Sequence, residues 1–135
     1  MTGVVMPTKP PFARERAQVG IAFMDCMRVA RGVHAPGLSL GEFGELLFPG
    51  VEVLVAHALD CPLTLSGLAR NLELPRNTAR RRLARLIELG LVERVGDHYY
   101  WTDRISADTA HDVLLAHLKT LRRAIDTVSN YAKQS

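Results

Sequence analysis

Between Leu63 and Trp101 the chain has almost no slack, and that economy limits what it can fold into. Leu65, Leu68, Ala69 and Leu72 recur at helical spacing and predict a short helix over 65–72. A turn at Asn71 to Leu74 follows. Pro75 suits the opening of a second helix to Leu89, and Gly90 suits its end. Leu91–Val95 and His98–Trp101 are rich in valine and aromatics, and Gly96-Asp97 between them has the form of a two-residue hairpin turn.

The flanks are helical. Residues 1–11, with three prolines, are expected to form a flexible arm. From Phe12 to Val33 a stripe of Val19, Phe23, Cys26, Ala30 and Val33 is joined by Ile21, Met24 and Met27, so that helix is apolar on more than one side. Ser39 and Glu42 stand at capping-box spacing and predict a short helix to Phe48. Pro49-Gly50 then punctuates the chain. A further helix from Pro49 to Leu59 is expected to bury Val51, Leu54, Val55 and Ala58. After Ser106, a suitable cap, comes a helix of about 26 residues, some 39 Å long. Ala107, His111, Leu114, Leu118, Leu121, Ile125, Val128 and Ala132 step along it by four and three, a heptad seam. Two partners suit the seam: a symmetry-related copy, or the 12–33 helix of the same chain. The two contacts are compatible.

The segment from Pro75 carries the densest charge. Arg76, Arg80, Arg81, Arg82 and Arg85 fall within ten residues that contain no acid. A solvated helix face ordinarily mixes signs to gain i,i+4 pairs. At 100° per residue, Ala79, Leu83, Leu86 and Ile87 share one sector and are expected to face the core. Asn77, Arg81, Ala84, Arg85 and Glu88 lie opposite. Thr78 and Arg82 lie on one flank, Arg76 and Arg80 on the other. Such an outer face fits a major groove, where arginine can bond guanine and asparagine adenine. Asn77, Thr78 and Arg81 are therefore the expected base contacts. Arg76, Arg80 and Arg85 are expected at phosphates, with Ser66 and Arg70 from the preceding helix and Arg94 and His98 from the hairpin. Arg82 is expected to bury its stem and turn its head outward. Tyr99, Tyr100 and Trp101 favour the core for one tyrosine and the tryptophan.

Helix, short helix, turn, helix and hairpin in this order form a winged helix-turn-helix. Leu63 to Leu72 resembles the second helix of MarR-type and IclR-type regulators. Pro75 to Leu83 resembles their recognition helix, and Leu86 to Val92 their exit into the wing. The resemblance covers residues 49–102, and the long flanking helices favour a MarR-like dimer. It implies a mainly α fold with a small β-hairpin and with dimerisation helices at both ends. The expected divisions are an arm at 1–11, a dimerisation region at 12–48, a DNA-binding domain at 49–104 and a dimerisation helix at 105–135. It further implies a homodimeric transcriptional regulator, a repressor by preference, bound to double-stranded DNA. The dimer contacts would be Val19, Phe23, Leu114, Leu118, Leu121, Ile125 and Val128. A small-molecule effector of unknown identity would sit where arms and DNA-binding lobe meet. A protein-interaction module, or a replication or partition factor, would use the same arginines.

Other signals are weaker. The net charge is only +3 over 135 residues, but residues 63–104 alone hold eight arginines against five acids, counting Asp103. Cys26 and Cys61 lack CxxC spacing, and no apolar stretch reaches membrane-spanning length, so a cytoplasmic protein with reduced thiols and no membrane partner is expected. Gly37-Leu38-Ser39-Leu40-Gly41 matches the GxSxG nucleophile pattern but lacks the strand and α/β sheet that motif requires. His57 and Cys61, one helical turn apart, give two metal ligands rather than a site. His111 falls on the seam, where a titratable group would make dimerisation sensitive to pH. No enzyme, cofactor or metal is expected.

Overall fold

The computed structural model describes residues 3–102 and 104–134; Asp103 and the first two residues of the expected arm lie outside the described residues. Helices α1 (Ala13–His34) and α2 (Leu40–Ala58) lead to strand β1 (Leu63–Thr64) and helices α3 (Leu65–Leu72) and α4 (Arg76–Glu88). Strands β2 (Val92–Val95) and β3 (His98–Trp101) and helix α5 (Ala107–Gln134) complete the order. The sheet is antiparallel with β3 in the centre; Leu63 faces Tyr99 on one side, and Val92 faces Trp101 on the other. This mainly helical winged arrangement agrees with the expected fold class. Strand β1 was not foreseen, because two residues carry no readable alternation.

The largest departure lies in α2. Where the sequence suggested two helices meeting at Pro49, one helix runs unbroken from Leu40 to Ala58 with Pro49 inside it. Its start is as expected: Ser39 Oγ accepts from the Glu42 N–H at 3.1 Å, and Glu42 Oε1 accepts from the Ser39 N–H at 3.1 Å. Hydrogen bonding from the Ser39 backbone N–H first, and from the Ser39 hydroxyl second, holds the Glu42 carboxyl below the usual carboxylate range. A proline in a helix interior removes one ladder bond and crowds the preceding turn. Packing overrides that cost here. Phe43, Leu46, Gly50 and Val53 are all buried and step by three, four and three, so the apolar stripe passes straight through Pro49. The expected buried face of Val51, Leu54 and Val55 is instead exposed. Those residues keep a helical spacing of their own, but they lie beside the stripe that faces the core.

The core gathers around α2, α3 and α4. Val53, Leu68, Ala79, Leu83 and Leu86 are almost completely buried, joined by Leu91, Val92 and Tyr99 from the wing. Tyr99 and the half-buried Trp101 meet the expectation for the aromatic run, whereas Ile87, expected in the core, is 40% exposed. Gly90, with φ of 77°, turns the chain from α4 into the wing in a conformation that favours glycine.

Helix α5 packs along α1 of its own chain. The inward stripe comprises Ala110, Val113, His117, Thr120, Ala124 and Thr127, all buried or half-buried. It is shifted by one residue from the leucine-rich seam, whose members Leu114, Leu118, Leu121, Ile125 and Val128 stay exposed. Small side chains let two helices approach closely, which is why the less apolar stripe faces inward.

Gly50 offers a direct check on α2. A Cβ there would meet Trp101 at 3.5 Å and Leu86 at 3.8 Å, ordinary contact distances. Gly50→Ala should therefore raise stability by about 0.5–1 kcal/mol through helix propensity. Gly50→Leu should lower it by about 1–3 kcal/mol through overpacking. Denaturant melts of both variants measure the difference.

Candidate nucleic-acid interface

Helix α3 is anchored at its start, where Thr64 Oγ1 accepts from the Gly67 N–H at 3.1 Å. Thr64 also belongs to β1, so the same residue fixes the helix and the sheet. At its end, Glu73 takes a left-handed conformation with φ of 53°, and the Leu74 N–H donates to the Ala69 carbonyl at 3.0 Å. This closes the tight turn that aims α4 across α3. Pro75 precedes α4 without a side-chain cap, which leaves the first N–H groups of α4 unsatisfied by any side chain.

The buried residues Ala79, Leu83 and Leu86 fix the rotation of α4, and that rotation sorts its arginines. Asn77 and Arg81 are exposed and Thr78 is half-buried, so the expected base-contact residues occupy the outer side of the first turns. Arg81 makes no hydrogen bond or ion pair among the described residues, and neither does Arg70. Others are engaged. Arg76 Nη1 donates to Ser66 Oγ at 3.0 Å, bringing two expected phosphate contacts together from two helices. Arg80 Nη1 donates to Asn77 Oδ1 at 3.3 Å. Arg85 pairs with Glu88 at 3.1 Å, which neutralises part of the expected cationic face. Arg82 is half-buried with its Nε enclosed and unpartnered, in line with a buried stem.

The wing is short and self-satisfied. Arg94 Nε donates to the Gly96 carbonyl at 2.8 Å, its guanidinium lies 3.7 Å from Asp97, and it sits over the Tyr99 ring. To reach a phosphate, Arg94 must leave these partners. His98 is half-buried at the base of the turn. His57, weighed as a metal ligand, has another use: its Nδ1 accepts from the Trp101 N–H at 3.1 Å, tying α2 to the wing. Cys61 is exposed, and no cluster of three metal-ligating side chains occurs among the described residues. His111 is exposed on α5.

Behind the interface lies a cavity whose lining residues the sequence did not reveal. An apolar cavity of about 580 Å³ opens between α1, α2 and α5, with Leu86 of α4 and Trp101 of β3 in its wall. Its lining is drawn from five elements, so no local pattern announces it. Cys26 lines it as well; burial first, and Asp25 second, push its thiol above the ordinary value. A second apolar crevice of about 560 Å³ runs between α1 and α5, flanked by Val19, Phe23, Leu121, Ile125 and Val128.

Left-handed Glu73 generates a prediction. A non-glycine residue in this conformation costs about 1 kcal/mol or more, so Glu73→Gly should raise the unfolding free energy by about that amount in a denaturant melt.

Comparison with known proteins agrees with this geometry. Residues 57–96 match the IclR helix-turn-helix domain. The Rv1404 protein of Mycobacterium tuberculosis is similar in structure, with a TM-score of 0.55 at 18% identity, over 86% of this chain and 74% of the other. The multiple antibiotic-resistance repressor MarR of Listeria monocytogenes gives a TM-score of 0.51 at 16% identity, over 89% of this chain and 75% of the other. No curated protein matches the chain in sequence. The segment from His57 to Gly96 is similar to the IclR helix-turn-helix domain, and the chain has a winged helix-turn-helix fold similar to that of the MarR structure.

Proposed function

We propose that this chain is a sequence-specific regulator of transcription that binds double-stranded DNA as a homodimer. Helix α4 lies in the major groove. Asn77, Thr78 and Arg81 contact base edges, while Ser66, Arg70, Arg76 and Arg80 hold phosphates. Arg85 and Arg94 join the phosphate contacts once released from Glu88 and from the wing turn, and His98 joins them from the base of that turn. The observation that carries this proposal is the exposed, unpaired Arg81 on an acid-free stretch of a helix whose opposite face is locked in the core. Residues 49–104 form the DNA-binding part, and 12–48 with 105–135 form the dimerising part.

Dimerisation is supported by what α5 leaves uncovered. Its inner stripe is satisfied by α1, yet Leu118 and Ile125 remain 61% and 62% exposed on a continuous apolar face. Monomeric proteins rarely expose contiguous apolar surface of that kind. A symmetric partner laid along the same stripe covers it, and Val19 and Phe23 extend the contact. Two recognition helices in such a dimer meet successive major grooves of a palindromic site about 34 Å apart. Occupancy of the site alone suffices for repression. Among the described residues no helix is long and apolar enough to cross a membrane, and we place the protein in the cytoplasm.

The DNA proposal is tested by anisotropy titrations against genomic fragments across a salt series. Arg81→Ala should cost about 1–3 kcal/mol and relax preference at one base position. Arg80→Ala should weaken all sequences alike and lower the salt slope by about one. Salt-independent binding, or none, overturns the proposal. For the dimer, sedimentation equilibrium of a Leu118→Glu variant should give monomers where the native chain gives dimers. A monomeric native chain excludes the dimer.

A further inference from the structure

The acceptors around α4 are engaged by the helix's own arginines. Asn77 Oδ1 accepts from Arg80 Nη1 at 3.3 Å. Ser66 Oγ accepts from Arg76 Nη1 at 3.0 Å, which leaves the serine O–H to donate. Glu88 Oε2 accepts from Arg85 Nη1 at 3.1 Å. Between Glu73 and Glu88 the chain holds no carboxylate. Glu88 itself stands about 16 Å along the helix from Asn77, well past the first turns that reach base edges.

What remains free on the outer side of those turns is a set of donors. The Asn77 amide keeps both of its N–H groups, and the exposed Arg81 guanidinium has no partner among the described residues. A guanidinium only donates, so the Asn77 amide must turn its carbonyl towards Arg80. Arg81, one helical turn beyond Asn77, adds positive charge on the same face, so this orientation does not hang on Arg80 alone. The Thr78 hydroxyl, half-buried, donates or accepts and adds no preference. Asparagine pairs with adenine only by using both ends of its amide, the carbonyl for N6 and the amino group for N7. Here the carbonyl end is occupied. In the major groove guanine shows two acceptors, N7 and O6, and no donor, whereas adenine and cytosine each show an amino group that needs an acceptor.

We infer that Asn77 and Arg81 form a donor-only reading surface, which selects guanine at two positions of each DNA half-site. Arg81 bonds N7 and O6 of one guanine, and Asn77 donates to the other through its amide protons. The inference rests on the proposed DNA-binding function and names the base chemistry that the recognition helix takes. It reverses the usual expectation for an asparagine on such a helix, which is adenine.

Selection of random-sequence duplexes on the full chain, followed by anisotropy titration of the enriched site, tests this. Parallel selections on Asn77→Ala and Arg81→Ala locate the two positions, because each variant relaxes preference where its side chain reads a base. Both positions should be guanine–cytosine pairs. Replacing either guanine by 7-deazaguanine, which lacks the N7 acceptor, should weaken binding of the native chain about tenfold. Hypoxanthine, which keeps N7 and O6, should change it by less than about twofold. Should a variant not fold, base replacement throughout the native site decides: guanines sensitive to the 7-deaza change support the inference, and adenines sensitive to it overturn it. An adenine–thymine pair at either position, a guanine indifferent to 7-deazaguanine, an equal loss with hypoxanthine, or a variant that selects the native site unchanged also overturns it. Any of these results alongside salt-dependent binding leaves the DNA proposal standing. Binding without salt dependence, or none, defeats that proposal and the inference together.

Discussion

At Gly50, helix α2 faces the wing and the recognition helix together, and a Cβ there would lie at van der Waals distance from both Trp101 and Leu86. The rest of the arrangement depends on that packing of α2 against β3 and α4. A side chain at this position larger than a methyl group would push α2 away from the indole. Withdrawal of α2 would loosen the seat of Leu86, and with it the rotation of α4. The hydrogen bond from the Trp101 N–H to His57 ties α2 to the wing a second time. Interiors are packed densely enough to transmit displacements of this sort rather than absorb them. The interface that faces outward is thus set by apolar contacts on the opposite side of the same helix.

Rotation converts composition into electrostatics. The whole chain carries only +3, too little to distinguish a DNA-binding protein from many others. Three buried side chains on α4 hold one face inward and leave arginines, an asparagine and an alanine outward. Not every cation is equally available. Arg85 is paired with Glu88 and Arg94 with the wing turn, while Arg81 and Arg70 have no partner among the described residues. Charge that is already compensated contributes little to the affinity for a phosphate, so the unpaired arginines carry more than their share.

Local pattern was legible wherever one element decided its own fate. The capping box at Ser39, the helix of Leu65 to Leu72, the core face of α4 and the two-residue hairpin all follow from spacing and turn chemistry. Arg82 was legible too, because a cation on the flank of an apolar sector has one way to satisfy both. What failed was decided between elements. Pro49 looked like a boundary, yet the buried stripe of Phe43, Leu46, Gly50 and Val53 carries the helix through it. Val51, Leu54 and Val55 keep a helical spacing of their own, yet the stripe of Phe43, Leu46, Gly50 and Val53 is the one that meets the core. On α5 the bulky seam drew attention from the small-residue stripe that packs on α1. The cavity assembles from five elements, and the pairings that disarm Arg85 and Arg94 depend on rotamers. Periodicity carries none of that information.

The most direct measurement of the central claim is an amide and side-chain NMR titration of the full chain with a bound genomic duplex. Helix α4 as the reading element predicts the largest shifts at Asn77, Thr78 and Arg81, with smaller ones at Ser66, Arg70 and Arg76. It predicts little change along Leu118, Leu121 and Ile125. Shifts concentrated on α5, or on the wing with α4 unmoved, would contradict it.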